Sequence, residues 1–109
     1  MDTTRKILET PSGIGLVYKD IQMVAKVEYH LVISQDLNKN IILAEQNTTQ
    51  GLKEITGIMK IIDGNILHID GIVLKLHLAD GRKWGFFVIG LNTSGVYSAV
   101  SSPGGTVDF

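Results

Sequence analysis

The residues of this 109-residue chain with the widest chemical reach are its three histidines, His30, His68 and His77. Imidazole ionises near neutral pH and binds metals through a neutral ring nitrogen. His68 and Asp70 stand two apart, which on a strand puts both on one face and offers a metal an imidazole and a carboxylate. Asp70 precedes Gly71, however, in a pair that makes tight turns, and spacing fixes no third ligand. Ser12 sits between Pro11 and Gly13, and neither it nor Ser34 has the Gly-x-Ser-x-Gly setting that exposes a nucleophile. Glu28, Glu45, Glu54, Asp63, Asp70 and Asp80 are candidate acids and bases, but no spacing brings two of them to the separation that glycoside hydrolysis needs. Gly13-Ile14-Gly15 lacks the third glycine of a dinucleotide loop and the Gly-Lys-Ser/Thr of a phosphate loop. The absence of cysteine removes disulfides, thiolate zinc sites, iron–sulfur clusters and thiol nucleophiles. The expectation is a protein that is not an enzyme and carries no metal or cofactor.

Whatever these residues do, strands must hold them. Isoleucine, leucine and valine make up nearly a third of the chain, within a hydrophobic content of 44% that can supply a core. From Met23 to Ser34 the pattern alternates, with Val27, Tyr29, Leu31 and Ile33 on one face and Lys26, Glu28 and His30 on the other. Ile14 to Tyr18 is a short apolar run before Lys19-Asp20, which reads as a turn or as a polar interruption of a longer strand. After Asp36, Asn38 and Asn40, Ile41-Ile42-Leu43 reads as a return strand; a helix over residues 37–47 capped by Asn38 is the alternative. Ile55 to Ile62 is β-branched and contains Gly57. Asp63-Gly64, Asp70-Gly71 and Asp80-Gly81 mark turns, Ile72 to Leu78 has aliphatics at every even position, Trp84 to Leu91 is its partner, and Gly95 to Val100 adds one more strand. Pro11-Ser12-Gly13 ends a loose arm over residues 1–13, and Ser101-Ser102-Pro103-Gly104-Gly105 opens a flexible tail over residues 101–109. The expected fold class is one all-β domain, a small antiparallel barrel or sandwich of about six to eight meander-rich strands with little or no helix.

The turn at Ala79-Asp80-Gly81-Arg82 decides which face of the last hairpin is buried. If the loop is Asp80-Gly81 alone, His77 lies opposite Trp84 and Lys75 opposite Phe86, and the two rings join a cationic binding patch. If the loop is Ala79-Asp80-Gly81 with Gly81 left-handed in a bulge, Leu76 faces Trp84 and Leu74 faces Phe86. A one-residue slip exchanges core for solvent, and the second register buries both rings, so burial favours it. Lys75, His77, Lys83 and Phe87 then share the outer face, with Arg82 at the turn, and these five residues are the candidate binding set. Phe87 and Ile89 on that outer face, like Ile58 and Ile62 beside Met59 and Ile61, make their strands apolar on both sides. Such strands suit the centre of a sandwich or an interface with another molecule.

The run Leu52-Lys53-Glu54-Ile55-Thr56-Gly57-Ile58, followed by Leu74-Lys75-Leu76-His77-Leu78-Ala79-Asp80-Gly81-Arg82-Lys83-Trp84-Gly85-Phe86-Phe87-Val88, looks like the later strands of pleckstrin-homology or GRAM-like domains. The resemblance implies a sheet sandwich closed by a C-terminal helix and a lipid-headgroup ligand, and it transfers no residue roles. Ser101-Ser102-Pro103-Gly104-Gly105-Thr106 stands where that helix would be.

Ten basic and eleven acidic residues give a net charge of -1, so the field that supplies most non-specific nucleic-acid affinity is missing, although Lys75, Arg82 and Lys83 cluster locally. No apolar run approaches the roughly 20 residues of a spanning helix. The N-terminus lacks a signal-peptide core, and Asn47-Thr48-Thr49 and Asn92-Thr93-Ser94 read as polar loops, so a cytoplasmic location is expected. The leading expectation is a non-catalytic, protein-binding or self-associating domain. The alternative is a barrel that binds a small ligand, a lipid headgroup or single-stranded nucleic acid.

Overall fold

Period-two patterning accounts for seven strands among the described residues, which are 4–37, 53–65 and 72–109 of this computed structural model. They are β1 (Thr4–Glu9), β2 (Ser12–Lys19), β3 (Gln22–Leu37), β4 (Lys53–Gly64), β5 (Leu74–His77), β6 (Lys83–Leu91) and β7 (Val96–Ser101). All pair antiparallel in the order β1-β3-β2-β5-β6-β7-β4, and a further β3–β4 pairing returns the sheet to its start. Six strands therefore close a ring of hydrogen bonds, a small all-β architecture with no helix among the described residues. No helix there is long and apolar enough to cross a membrane.

The spine of the ring is β3. Its inward residues Ala25, Val27, Tyr29, Leu31 and Ile33 are buried, while Lys26, Glu28, His30 and Val32 face out, as the alternation dictates. One edge of β3 is shared: β2 pairs with Gln22 to His30, and β1 continues along the same edge from Ile33 to Leu37. At the break between β1 and β2 the Pro11 carbonyl accepts the Leu31 N–H at 2.8 Å, which keeps the ladder satisfied across a residue that cannot donate. On its other edge β3 pairs with β4 along nearly the whole length of β4.

The last hairpin adopts the register that buries both rings. Gly81 has φ 97°, Leu76 pairs with Trp84 and Leu74 with Phe86, and the loop is closed by the Leu78 N–H donating to the Arg82 carbonyl at 2.9 Å. Trp84 and Phe86 have no exposed surface and stack with their centroids 5.2 Å apart. The indole N–H donates to Ser101 Oγ at 2.9 Å, and that hydroxyl donates to the Ile55 carbonyl at 3.2 Å, so the buried tryptophan is fully satisfied. Gly57, inward on β4, is what lets the indole fit: an added Cβ would lie 2.5 Å from Leu31 Cδ2 and 3.4 Å from Trp84 Cζ3.

Two segments differ from expectation. Residues 4–9, expected in a loose arm, form β1, because the outer end of the 16-residue β3 has an open edge that they pair with. The segment after Ser101, expected as a flexible tail, turns back and is hydrogen-bonded. Ser102 N–H donates to the Gly85 carbonyl at 3.0 Å, Gly85 N–H donates to the Gly105 carbonyl at 3.3 Å, and Ser102 and Gly105 are buried. β7 ends at Ser101, opposite Phe86, and this segment takes its place beside the rest of β6. The turn falls at Asp20-Ile21, with Asp20 at φ 57°, and Lys19 ends β2 opposite Gln22. The return strand at Ile41-Ile42-Leu43, the alternative helix over 37–47, the Asn47 triplet, His68 and Asp70 lie outside the described residues.

Candidate functional site

The five candidate residues divide into three environments. Arg82 is committed to the fold. Its guanidinium meets Glu9 at 2.8 Å and Asp80 at 2.7 Å, and it lies 4.6 Å over the Phe109 ring. The hydrogen bonds from Arg82 hold the Glu9 and Asp80 carboxyls below their usual range, and those two carboxylates, Glu9 first, raise the guanidinium pKa in turn. A guanidinium with two carboxylate partners is no longer a free cation for a ligand.

Lys75, His77 and Lys83 do share the outer face of β5 and β6, with His77 directly opposite Lys83 and Lys75 opposite Gly85. The His77 ring stacks on Tyr18 of β2, centroids 4.2 Å apart. Burial pushes the His77 pKa down, and the charges of Lys83 and Lys75 push it further the same way. Lys75 and Lys83 also line a groove of about 210 Å³ whose far wall is the returning segment, at Ser102, Gly104, Gly105 and Asp108. That wall carries no sequence periodicity, so the groove was not legible from spacing.

Phe87 stands apart from this cluster. It is half-buried on the outer face of β6, opposite Val100 of β7, and belongs to a third environment. Adjacent strands there place their outward residues in rows. Val32, Thr56, Val100 and Phe87 form one row across β3, β4, β7 and β6. His30, Ile58 and Ser98 form the next, with the bulged Ile89 beside them. Neither row contains a carboxylate, lysine or arginine. Val32 is 38%, Ile58 47% and Ile89 59% exposed, and the surface between them dips into a shallow hollow of about 350 Å³. Glu28 and Lys60, paired across β3 and β4, border it.

Among the described residues no group of His, Asp or Glu is arranged to hold a metal ion. His30 and His77 sit on different strands, opposite Ser12 and Leu16 of β2 respectively. Asn92 of the second glycosylation-like triplet accepts backbone N–H bonds from Ser94 at 2.8 Å and Val96 at 3.0 Å, which is the geometry of a turn-forming side chain. No known family, curated protein or solved structure matches the chain.

Proposed function

We propose that this chain is a non-catalytic interaction domain that self-associates through the outer face of β3, β4, β7 and β6. The observation that supports it is the pair of rows without carboxylate, lysine or arginine, running from Val32 to Phe87 and from His30 to Ile89, with three large aliphatic side chains left in water. Burying one such side chain is worth about 1.5–3 kcal/mol, so a face that presents several has a driving force for contact. A second copy suits the face better than a charged partner does. Glu28 and Lys60 border one side of the face and Glu54 the other, so two copies can meet with Lys60 of one against an acid of the other, and a net charge of -1 adds little repulsion between them.

Light scattering over micromolar to millimolar concentrations tests this. The native chain should show a mass that rises with concentration, and the Ile58→Lys/Ile89→Lys double variant should stay monomeric with an unchanged circular dichroism spectrum. A native chain that remains monomeric at millimolar concentration removes the proposal.

A further inference from the structure

The groove beside the returning segment has a different chemistry from the apolar face, and it is built by residues far apart in sequence. Its floor is Gly85, whose missing side chain leaves the outer face of β6 open to a crossing segment. An added Cβ at Gly85 would lie 2.8 Å from Ser102 Oγ and 3.2 Å from Gly105 Cα, and one at Gly105 would lie 2.1 Å from the Gly85 carbonyl oxygen. Two glycines at the crossing thus bring the segment against β6 and create a wall. Opposite that wall stand Lys75, directly across from Gly85, and Lys83, one diagonal step away on β6. Neither ammonium is in an ion pair among the described residues. The one acid in the groove, Asp108, is turned to the backbone, where it accepts the Lys83 N–H at 2.8 Å. Val73, Pro103 and Val107 add apolar lining, with Val73 50% and Val107 84% exposed.

We propose that this groove binds a phosphate monoester group, with Lys75 and Lys83 neutralising its charge and Val73 and Val107 meeting the carbon skeleton attached to it. Two ammonium groups outnumber the groove's one carboxylate, Asp108, and so favour a group that carries close to two negative charges at neutral pH. Lysine ammoniums are compact point charges that suit a tetrahedral oxyanion; flat, bidentate carboxylate recognition favours arginine, and Arg82 is already occupied by Glu9 and Asp80. A space of about 210 Å³ is smaller than the pockets that enclose drug-sized molecules, so it fits one headgroup or a small phosphorylated molecule.

The same chemistry is offered by a soluble phosphomonoester and by an anionic lipid headgroup, and two probes separate them. In amide NMR spectra of the full chain, inorganic phosphate or glycerol 3-phosphate at concentrations on the order of 10 mM should give saturable shifts at Lys75, Lys83, Gly104 and Gly105, which sodium chloride at equal ionic strength does not reproduce. Co-sedimentation with phosphatidylcholine vesicles containing phosphatidic acid identifies the lipid source if vesicles bind and glycerol 3-phosphate does not; the reverse result identifies the soluble one. The Lys75→Glu/Lys83→Glu variant, whose fold is checked by the emission of buried Trp84, should bind whichever probe binds at least about tenfold more weakly. Absence of saturable shifts and of vesicle binding, or affinity retained in the charge-reversed variant, overturns the proposal. Neither result depends on the oligomeric state, so this site and the apolar face stand or fall separately.

Discussion

At the scale of single residues, His77 carries the clearest pH-dependent consequence. It faces the Tyr18 ring and Leu16 on β2, Lys75 on its own strand and Lys83 on β6, so among the described residues no acid beside it favours the imidazolium. Its folded pKa lies below the ordinary 6.5, chiefly through burial and then through the two lysines. The unfolded chain therefore takes up this proton first as pH falls. Stability from His77 is constant where both states are neutral, and it declines as pH drops through about 6.5 toward the folded pKa. Chemical denaturation across this window should show the native chain weakening toward acid, and His77→Gln should flatten that slope. The imidazole midpoint followed by NMR should fall below 6.5; a midpoint above it would show that burial and the lysines do not govern the ring. Glu9 and Asp80 act in a lower window, since their depressed pKa values withdraw stability only when acid protonates carboxylates.

Among the elements, the joint between β4, β6 and β7 is the point where one atom matters most. Ser101 Oγ links the Trp84 indole N–H to the Ile55 carbonyl, and both Trp84 and Ile55 have no exposed surface. Ser101→Ala leaves the indole N–H buried without an acceptor, at a cost of about 1–3 kcal/mol, which urea titration would register as a lower midpoint with an unchanged slope. The hairpin that carries Trp84 was readable from sequence because alternation, an Asp-Gly turn and the burial of two rings all favoured one register. The long β3 was readable for the same reason. β1 was not, since Thr-Arg-Lys-Ile-Leu-Glu has no period of its own and becomes a strand only because the outer end of β3 offers an edge. The returning segment was not, because a Pro-Gly-Gly stretch is ordered here by hydrogen bonds to Gly85, a residue far away in sequence. The candidate site inherits this division. Lys75, His77 and Lys83 follow from period two once the register is known, whereas the groove needs its second wall, and Arg82's two carboxylates come from a turn and from the end of an unforeseen strand.

Across the whole molecule, the extents of 49 × 29 × 25 Å follow from the spine. Sixteen residues of β3 at about 3.3 Å each reach roughly 50 Å, so the long axis is one strand, and the ring is wrapped around part of it. β1 and the outer ends of β3 and β4 run on past the segment where β2 meets β3. The ring itself is unevenly joined. β3 and β4 are paired along most of their length, but among the described residues β2 meets β5 through Leu16, Val17 and Tyr18 alone. This short seam joins strands from opposite halves of the sequence by only three residue pairs among the described residues, so little ladder is lost when it opens. Native-state hydrogen exchange should therefore find the β2–β5 amides opening at lower free energy than those between β3 and β4; equal protection at both would mean that the ring opens only as a whole. Among the described residues β1, outside the ring, keeps one unpaired edge, and the weak seam adds a latent edge within the ring, exposed for as long as that seam stays open. Within the ring, the risk of strand exchange between molecules lies at Leu16 to Tyr18, where the ring closes, and that risk grows under any condition that unzips those few residues before it unfolds the rest.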